Sequence, residues 1–180
     1  MKTNGWLYWV FCAVLLVVFA GASCAQVISP EELGFEYQLT LGAAFSVNAD
    51  VDNKSSFTAG IAWYGPASEV FGENGAFGLS ADVIVIKTND DENVSLVPVM
   101  FNYKRYGNFG PYRIFAFVGG GVQVATDDIP EMRIDDGVNF GWTGGFGIDL
   151  TDQLFGQFKF FGGKYPGEDG MSSIQLGYRF

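Results

Sequence analysis

Seven charged residues recur at alternating positions inside otherwise apolar stretches: Glu36, Asp82 and Asp149 against Lys104, Arg113, Lys159 and Arg179. Two chemistries suit such a set. A carboxylate or lysine tuned by burial can act as a general acid or base. Alternatively, opposite charges neutralise one another in a closed interior, where an unpaired charge is costly. The chain has no histidine, the readiest base near neutral pH, and three acids against four bases come close to balance. The structural role is therefore preferred and no catalytic residue is assigned. The glycine clusters at 119–121 and 144–147 fit neither G-x-G-x-x-G nor a phosphate loop opening a helix. Inside strands, such glycines mark bends or tight packing. No cofactor is expected.

The elements that would position these charges repeat one pattern. In 35–47, Phe35, Tyr37, Leu39, Leu41, Ala43, Phe45 and Val47 alternate with polar or small residues. The same period of two runs through 56–64, 77–85, 95–104, 112–126, 137–150, 154–160 and 172–180. Phe115 and Phe117 fall on the polar side and blur it. The eighth segment keeps alternating to the final Phe180, where a soluble chain would ordinarily fray into a polar tail.

A soluble barrel turns the apolar face inward, whereas a membrane barrel turns it to lipid and lines its interior with the polar face. The polar side here is rich in Gly, Ser, Thr, Ala, Asn and Gln, which suit a cramped lumen more than a wet surface. About ten residues per strand, tilted about 45°, reach roughly 23 Å, close to the apolar band of a membrane barrel. Aromatics mark the two expected interfaces: Phe35, Tyr37, Trp63, Tyr103, Tyr112, Tyr178 and Phe180 at one rim, and Phe45, Phe57, Phe140, Trp142 and Phe160 towards the other. The expected fold is all-β, an eight-stranded antiparallel up-and-down transmembrane β-barrel.

The first 25 residues read as a cleaved signal peptide: Lys2, the apolar run 6–22 and the small residues of 21–26. Cleavage is expected after Ala25, with Ala22 as the alternative; an uncleaved anchor or lipidation at Cys24 would be different outcomes. Residues 26–180 then form the barrel domain. Cys12 and Cys24 are the two cysteines, so the mature chain would contain neither disulfides nor thiolate metal sites. A net charge of −10 argues against nucleic acid as partner.

Three stretches, LVPVMFNYKRYGNFGPYRIFAFVGGGV (96–122), GGFGIDLTDQLFGQFKF (144–160) and IQLGYRF (174–180), resemble the small outer-membrane β-barrel family of Gram-negative bacteria, opacity and attachment protein-like and porin-like. The resemblance implies a location in the cell outer membrane and insertion by the assembly machinery, which would read Tyr178 and Phe180 as a C-terminal signal. It also implies a monomer surrounded by membrane lipid and lipopolysaccharide. With both termini periplasmic, the outer loops are 48–55, 87–93, 127–136 and 162–170; the inner connections are 65–75, 107–110 and 151–153. The 65–75 connection is long, which leaves the register of the second and third strands open. The outer loops hold twelve carboxylates and four bases.

Within those loops, Asp50, Asp52, Asp90, Asp91, Glu92, Asp127 and Asp128 are candidates to hold divalent cations bridged to lipopolysaccharide phosphates. None matches an EF-hand loop, and the plainer reading is a solvated acidic rim. Asn53-Lys54-Ser55 and Asn93-Val94-Ser95 fit a glycosylation pattern that a bacterial barrel would ignore. The functional expectation is a non-enzymatic outer-membrane barrel with a structural or surface-interaction role, acidic outer loops and a charge-plugged lumen. The alternatives are a narrow channel for ions or small solutes and a soluble lipocalin-like carrier.

Overall fold

A computed structural model describes residues 35–46, 56–66, 74–87, 93–128, 136–163 and 170–180. The signal segment, Cys12 and Cys24 lie outside these residues. Eight strands form in chain order: β1 Glu36–Ser46, β2 Ser56–Pro66, β3 Gly75–Lys87, β4 Asn93–Phe109, β5 Tyr112–Ala125, β6 Gly137–Asp149, β7 Leu154–Gly162 and β8 Gly170–Arg179. Each pairs antiparallel with its neighbours, and β8 returns to β1 to close the barrel. Closure leaves no unpaired edge, and it accounts for the aromatic terminus. The Phe180 amide donates to the Tyr37 carbonyl at 3.0 Å, so the last residue is stitched to the first strand.

Stepping once around the barrel through paired residues from Glu36 (Tyr64, Gly78, Asn102, Gly119, Thr143, Phe161, Met171) returns to β1 at Ser46, ten residues along. A stagger of ten over eight strands fixes a tilt of about 40° and a backbone radius of about 8 Å. Each residue then advances about 2.5 Å along the barrel axis, and each step between paired strands about 3 Å.

The direction of the two faces is decided by exposure. Leu39, Val83, Phe140 and Leu176 are 46%, 45%, 58% and 55% exposed, whereas Gln38, Asp82 and Arg179 are 3%, 2% and 5% exposed. The apolar side points out and the polar side in, the reverse of a soluble carrier.

Several boundaries differ from the sequence expectation. β4 runs to Phe109, which pairs with Tyr112. The turn expected at 107–110 is therefore the two-residue step Gly110-Pro111, with Gly110 at φ 60°, the positive φ favoured at the first position of a tight hairpin turn. β2 extends to Pro66 and β3 begins at Gly75, with Pro66 opposite Ala76 and Tyr64 opposite Gly78. That settles the register left open at 65–75. Pro98 has no N–H to give, and the β3–β4 ladder is interrupted there, between the pairs Ala81–Val99 and Ile84–Leu96.

The lumen is also more apolar than expected. Towards one end, Tyr64, Ala76, Tyr106, Phe115, Phe117 and Phe155 form a cluster; towards the other, Ala44, Ile84, Val94, Leu96, Ala125, Phe161 and Met171 form a second. Inward glycines make room for the rings. Phe115 lies opposite Gly147, Phe117 opposite Gly145, and Phe155 opposite Gly177. A Cβ on Gly147 would stand 2.2 Å from the Phe115 ring, and one on Gly177 would stand 2.0 Å from the Phe155 ring. Gly145, Gly147 and Gly177 are thus counterparts of buried aromatics, while Gly60, Gly119 and Gly141 make the same room for Asp82, Asn102 and Gln123, at a density only small–large pairing allows.

Candidate functional site in the barrel lumen

All seven charges selected from the sequence project from inward positions, and their ion pairs sort them into two groups. The first group lies near the end that carries the chain termini. Glu36 accepts from the Arg179 Nε at 2.9 Å and from the Tyr106 hydroxyl at 2.9 Å, and the Gln38 amide also donates to it. Asp149 accepts from Arg179 Nη2 at 2.5 Å and from Arg113 Nε. Arg179, on the last strand, therefore joins carboxylates from β1 and β6 across the interior.

Lys104 completes this group in another way. Its Nζ lies 3.6 Å from Glu36 Oε1 without making a hydrogen bond. It stands 3.8 Å from the centre of the Tyr64 ring and 4.7 Å from that of Phe115. Arg179 stacks over Phe155 at 4.5 Å, and Arg113 lies 5.1 Å from the Tyr106 ring. Aromatic faces thus carry part of the compensation that water would otherwise give these cations.

The second group lies deeper. Lys159 Nζ donates to Asp82 Oδ2 at 2.6 Å, and the Gln175 amide donates to Thr58 at 3.2 Å and to Asp82 Oδ1 at 3.4 Å. Gln157 donates to Gln175 Oε1 at 2.5 Å. Ser80 Oγ lies 3.5 Å from Lys159 Nζ and accepts from Asn102 at 2.9 Å. Serine beside lysine is a pairing that can support nucleophilic chemistry. Here the lysine is committed to Asp82, and Ser80, Asp82 and Lys159 are all buried between the two apolar clusters.

The cation candidates divide differently. Asp50, Asp52, Asp90, Asp91 and Glu92 lie outside the described residues. Asp127 Oδ1 accepts from the Asp128 amide at 2.8 Å, and Asp128 Oδ1 accepts from the Asp136 amide at 2.7 Å, so these exposed carboxylates tie the two ends of the β5–β6 connection together. Among the described residues no three His, Cys, Asp or Glu side chains converge as a metal site would require. Of the glycosylation-like triplets, Asn93-Val94-Ser95 begins β4, and the other is outside the described residues. At the chain end, the Tyr178 and Phe180 rings pack edge to face at 5.0 Å.

Sequence reasoning missed the aromatic partners Tyr64, Tyr106, Phe115 and Phe155. For Phe115 and Phe155 the signal is the Phe–Gly pairing across the β5–β6 and β7–β8 hairpins; Tyr64 faces Gly78 across β2–β3, and Tyr106 faces Phe115 across β4–β5.

Solved structures share this architecture. Neisserial surface protein A is 11% identical, with 81% of this chain and 96% of that chain covered and a TM-score of 0.58. The outer membrane enzyme PagL is 16% identical, with coverages of 81% and 98% and a TM-score of 0.54. The fold is that of small outer-membrane barrels. Ail of Yersinia pestis, determined in a phospholipid bilayer nanodisc, is 13% identical, with coverages of 81% and 99% and a TM-score of 0.50. No family model matches the chain, and no curated protein matches it. At these identities the likeness concerns architecture, and the lumen residues stand on their own geometry.

Proposed function

We propose that this chain is a non-enzymatic protein of the Gram-negative outer membrane, exported through its signal peptide. In this reading the barrel is a rigid base that carries acidic loops outside the cell, in a structural or surface-interaction role among lipid and lipopolysaccharide. The observation that carries it is the combination of a lipid-compatible outer face with a filled interior. Eight strands leave a lumen just wide enough for side chains, and this one is occupied by five bridged charges, a buried Asp82–Lys159 pair and two apolar clusters. The absence of histidine and the sealed position of Ser80 and Lys159 support a non-catalytic role.

The channel reading needs both apolar clusters and the charge groups to move aside. The test is to extract the protein from membranes, compare its gel mobility with and without boiling, and then record currents across a planar bilayer. A heat-dependent mobility shift with electrically silent bilayers is expected. Steady conductance altered by Asp82→Ala would replace this proposal with a channel. Identical mobility before and after boiling would remove the membrane barrel altogether.

A further inference from the structure

The charged residue Arg105 belongs to neither lumen group. It follows the inward Lys104 and precedes the inward Tyr106 on β4, so it projects from the outer face. Its paired neighbours on that face are Gly75 and Ala116, and Ala116 in turn is paired with Phe146. Arg105 is the one charged residue among the outward strand positions whose side chains are described. A guanidinium on a hydrocarbon-facing surface is expensive unless it lies at the interface and meets an anion there.

Its height is appropriate. The row through Glu36 meets β4 at Asn102, and Arg105 lies three residues nearer the end that carries the termini. It therefore stands about 2 Å from the Glu36 level, at the height of Tyr37 and Phe77 in the aromatic girdle. Its Nε is buried and makes no hydrogen bond. Ala116 faces outward yet is 1% exposed, so neighbouring side chains cover it, and the arginine stem and Phe146 flank it. Beyond Arg105 towards the rim, the next outward position on β4 is Gly107, which has no side chain of its own and is nevertheless covered. The exposed Phe109 and Tyr112 pair lies just beyond.

We propose that Arg105 binds the phosphate of a membrane phospholipid at the rim nearest the chain termini. The guanidinium fork suits a phosphate bidentately, and the aromatics around it suit the glycerol and upper acyl region. This rests on the membrane-barrel reading above.

The full-length mature barrel, extracted in neutral detergent, is titrated with phosphatidylglycerol and with dioleoylglycerol, which lacks the phosphate, and retained lipid is counted by native mass spectrometry. Wild type is expected to retain phosphatidylglycerol in preference to the phosphate-free lipid. Arg105→Gln is expected to bind phosphatidylglycerol about fivefold more weakly, the scale of one basic residue at a charged membrane surface. Arg105→Lys should lose less than Arg105→Gln. Equal retention by wild type and Arg105→Gln, or a full loss in Arg105→Lys, overturns the site. Displacement of the lipid by excess inorganic phosphate would assign the arginine to a soluble anion and also overturns it. The heat-dependent mobility shift, measured on the same samples, separates the two readings. A wild type that lacks the shift fails as a membrane barrel, whereas one that shows the shift without Arg105-dependent lipid fails only here.

Discussion

Replacing Lys159 with methionine tests whether the lumen is sealed. Lys159 and Asp82 are 4% and 2% exposed and 2.6 Å apart. At an effective dielectric constant of about 20, their attraction is about 6 kcal/mol, and it is largely offset by the cost of taking both ions out of water. The pair is therefore worth little net, but the asymmetry of its removal is large. In Lys159→Met, Asp82 keeps only the Gln175 amide at 3.4 Å among its hydrogen-bond donors in the described residues, and a stranded buried charge costs about 3–5 kcal/mol. The Lys159 Nζ lies 5.8 and 4.9 Å from the Phe117 and Phe161 ring centres, and an unbranched methionine fills a similar volume beside aromatic rings, so lost packing should contribute little. Urea unfolding of the purified barrel, followed by the mobility of its folded and unfolded bands, is expected to show the midpoint falling by about 2 M for a urea slope of about 2 kcal/mol per molar. The double variant Lys159→Met/Asp82→Leu should recover most of the loss, because no charge then remains. A single variant that loses less than about 1 kcal/mol would match an exposed pair and would mean that water reaches Asp82, refuting the sealed lumen.

Three further outcomes follow from the same geometry. Leu41, exposed on the outer face and roughly half-way up the barrel, should tolerate arginine poorly: Leu41→Arg is expected to cost about 2–4 kcal/mol in lipid, measured by unfolding from bilayers, whereas a water-facing site would barely register. Gly42→Ala places a Cβ 2.1 Å from the Ile174 carbonyl oxygen and 2.8 Å from Gln175 Cα on the closing strand; a loss of about 1–3 kcal/mol and a smaller heat-shifted fraction are expected, while an unchanged fraction would contradict the tight β1–β8 approach. Deleting Phe180 removes both its backbone bond to Tyr37 and its ring contact with Tyr178, and quantitative blotting of outer-membrane fractions should show reduced assembly.

The strands were legible because one face is apolar and the other small or polar, and a slip of one residue would exchange them. The same alternation placed Glu36, Asp82, Lys104, Arg113, Asp149, Lys159 and Arg179 inside. Alternation is silent where both faces are apolar, and that is why Phe115 and Phe117 read as noise. Their meaning needs the register, which sets Gly147 and Gly145 opposite them, and register is a property of two strands. Arg105 was overlooked because β4 was expected to stop at Lys104. One more residue of alternation would have placed it outside. The turn at Gly110-Pro111 was missed for a related reason: Gly107 resembles a turn glycine, yet it continues the ladder opposite Ile114.

The interior and exterior together restrict where recognition can occur. A mature chain expected to lack both disulfides and a conventional core must resist collapse of its backbone ring, and here large rings set against glycines fill the lumen while aromatic faces accommodate the cations that packing alone would strand. In the proposed reading such a filling acts as a plug, selective about shape and closed to solutes. The outer wall is apolar and offers lipid little to distinguish beyond thickness. The proposed function therefore assigns specific contacts to the two rims: the acidic loops expected at one end, and at the other the aromatic girdle interrupted by Arg105. A substitution that abolishes a partner interaction while leaving the heat-dependent mobility intact should consequently map to a rim, and one that removes both should map to the lumen.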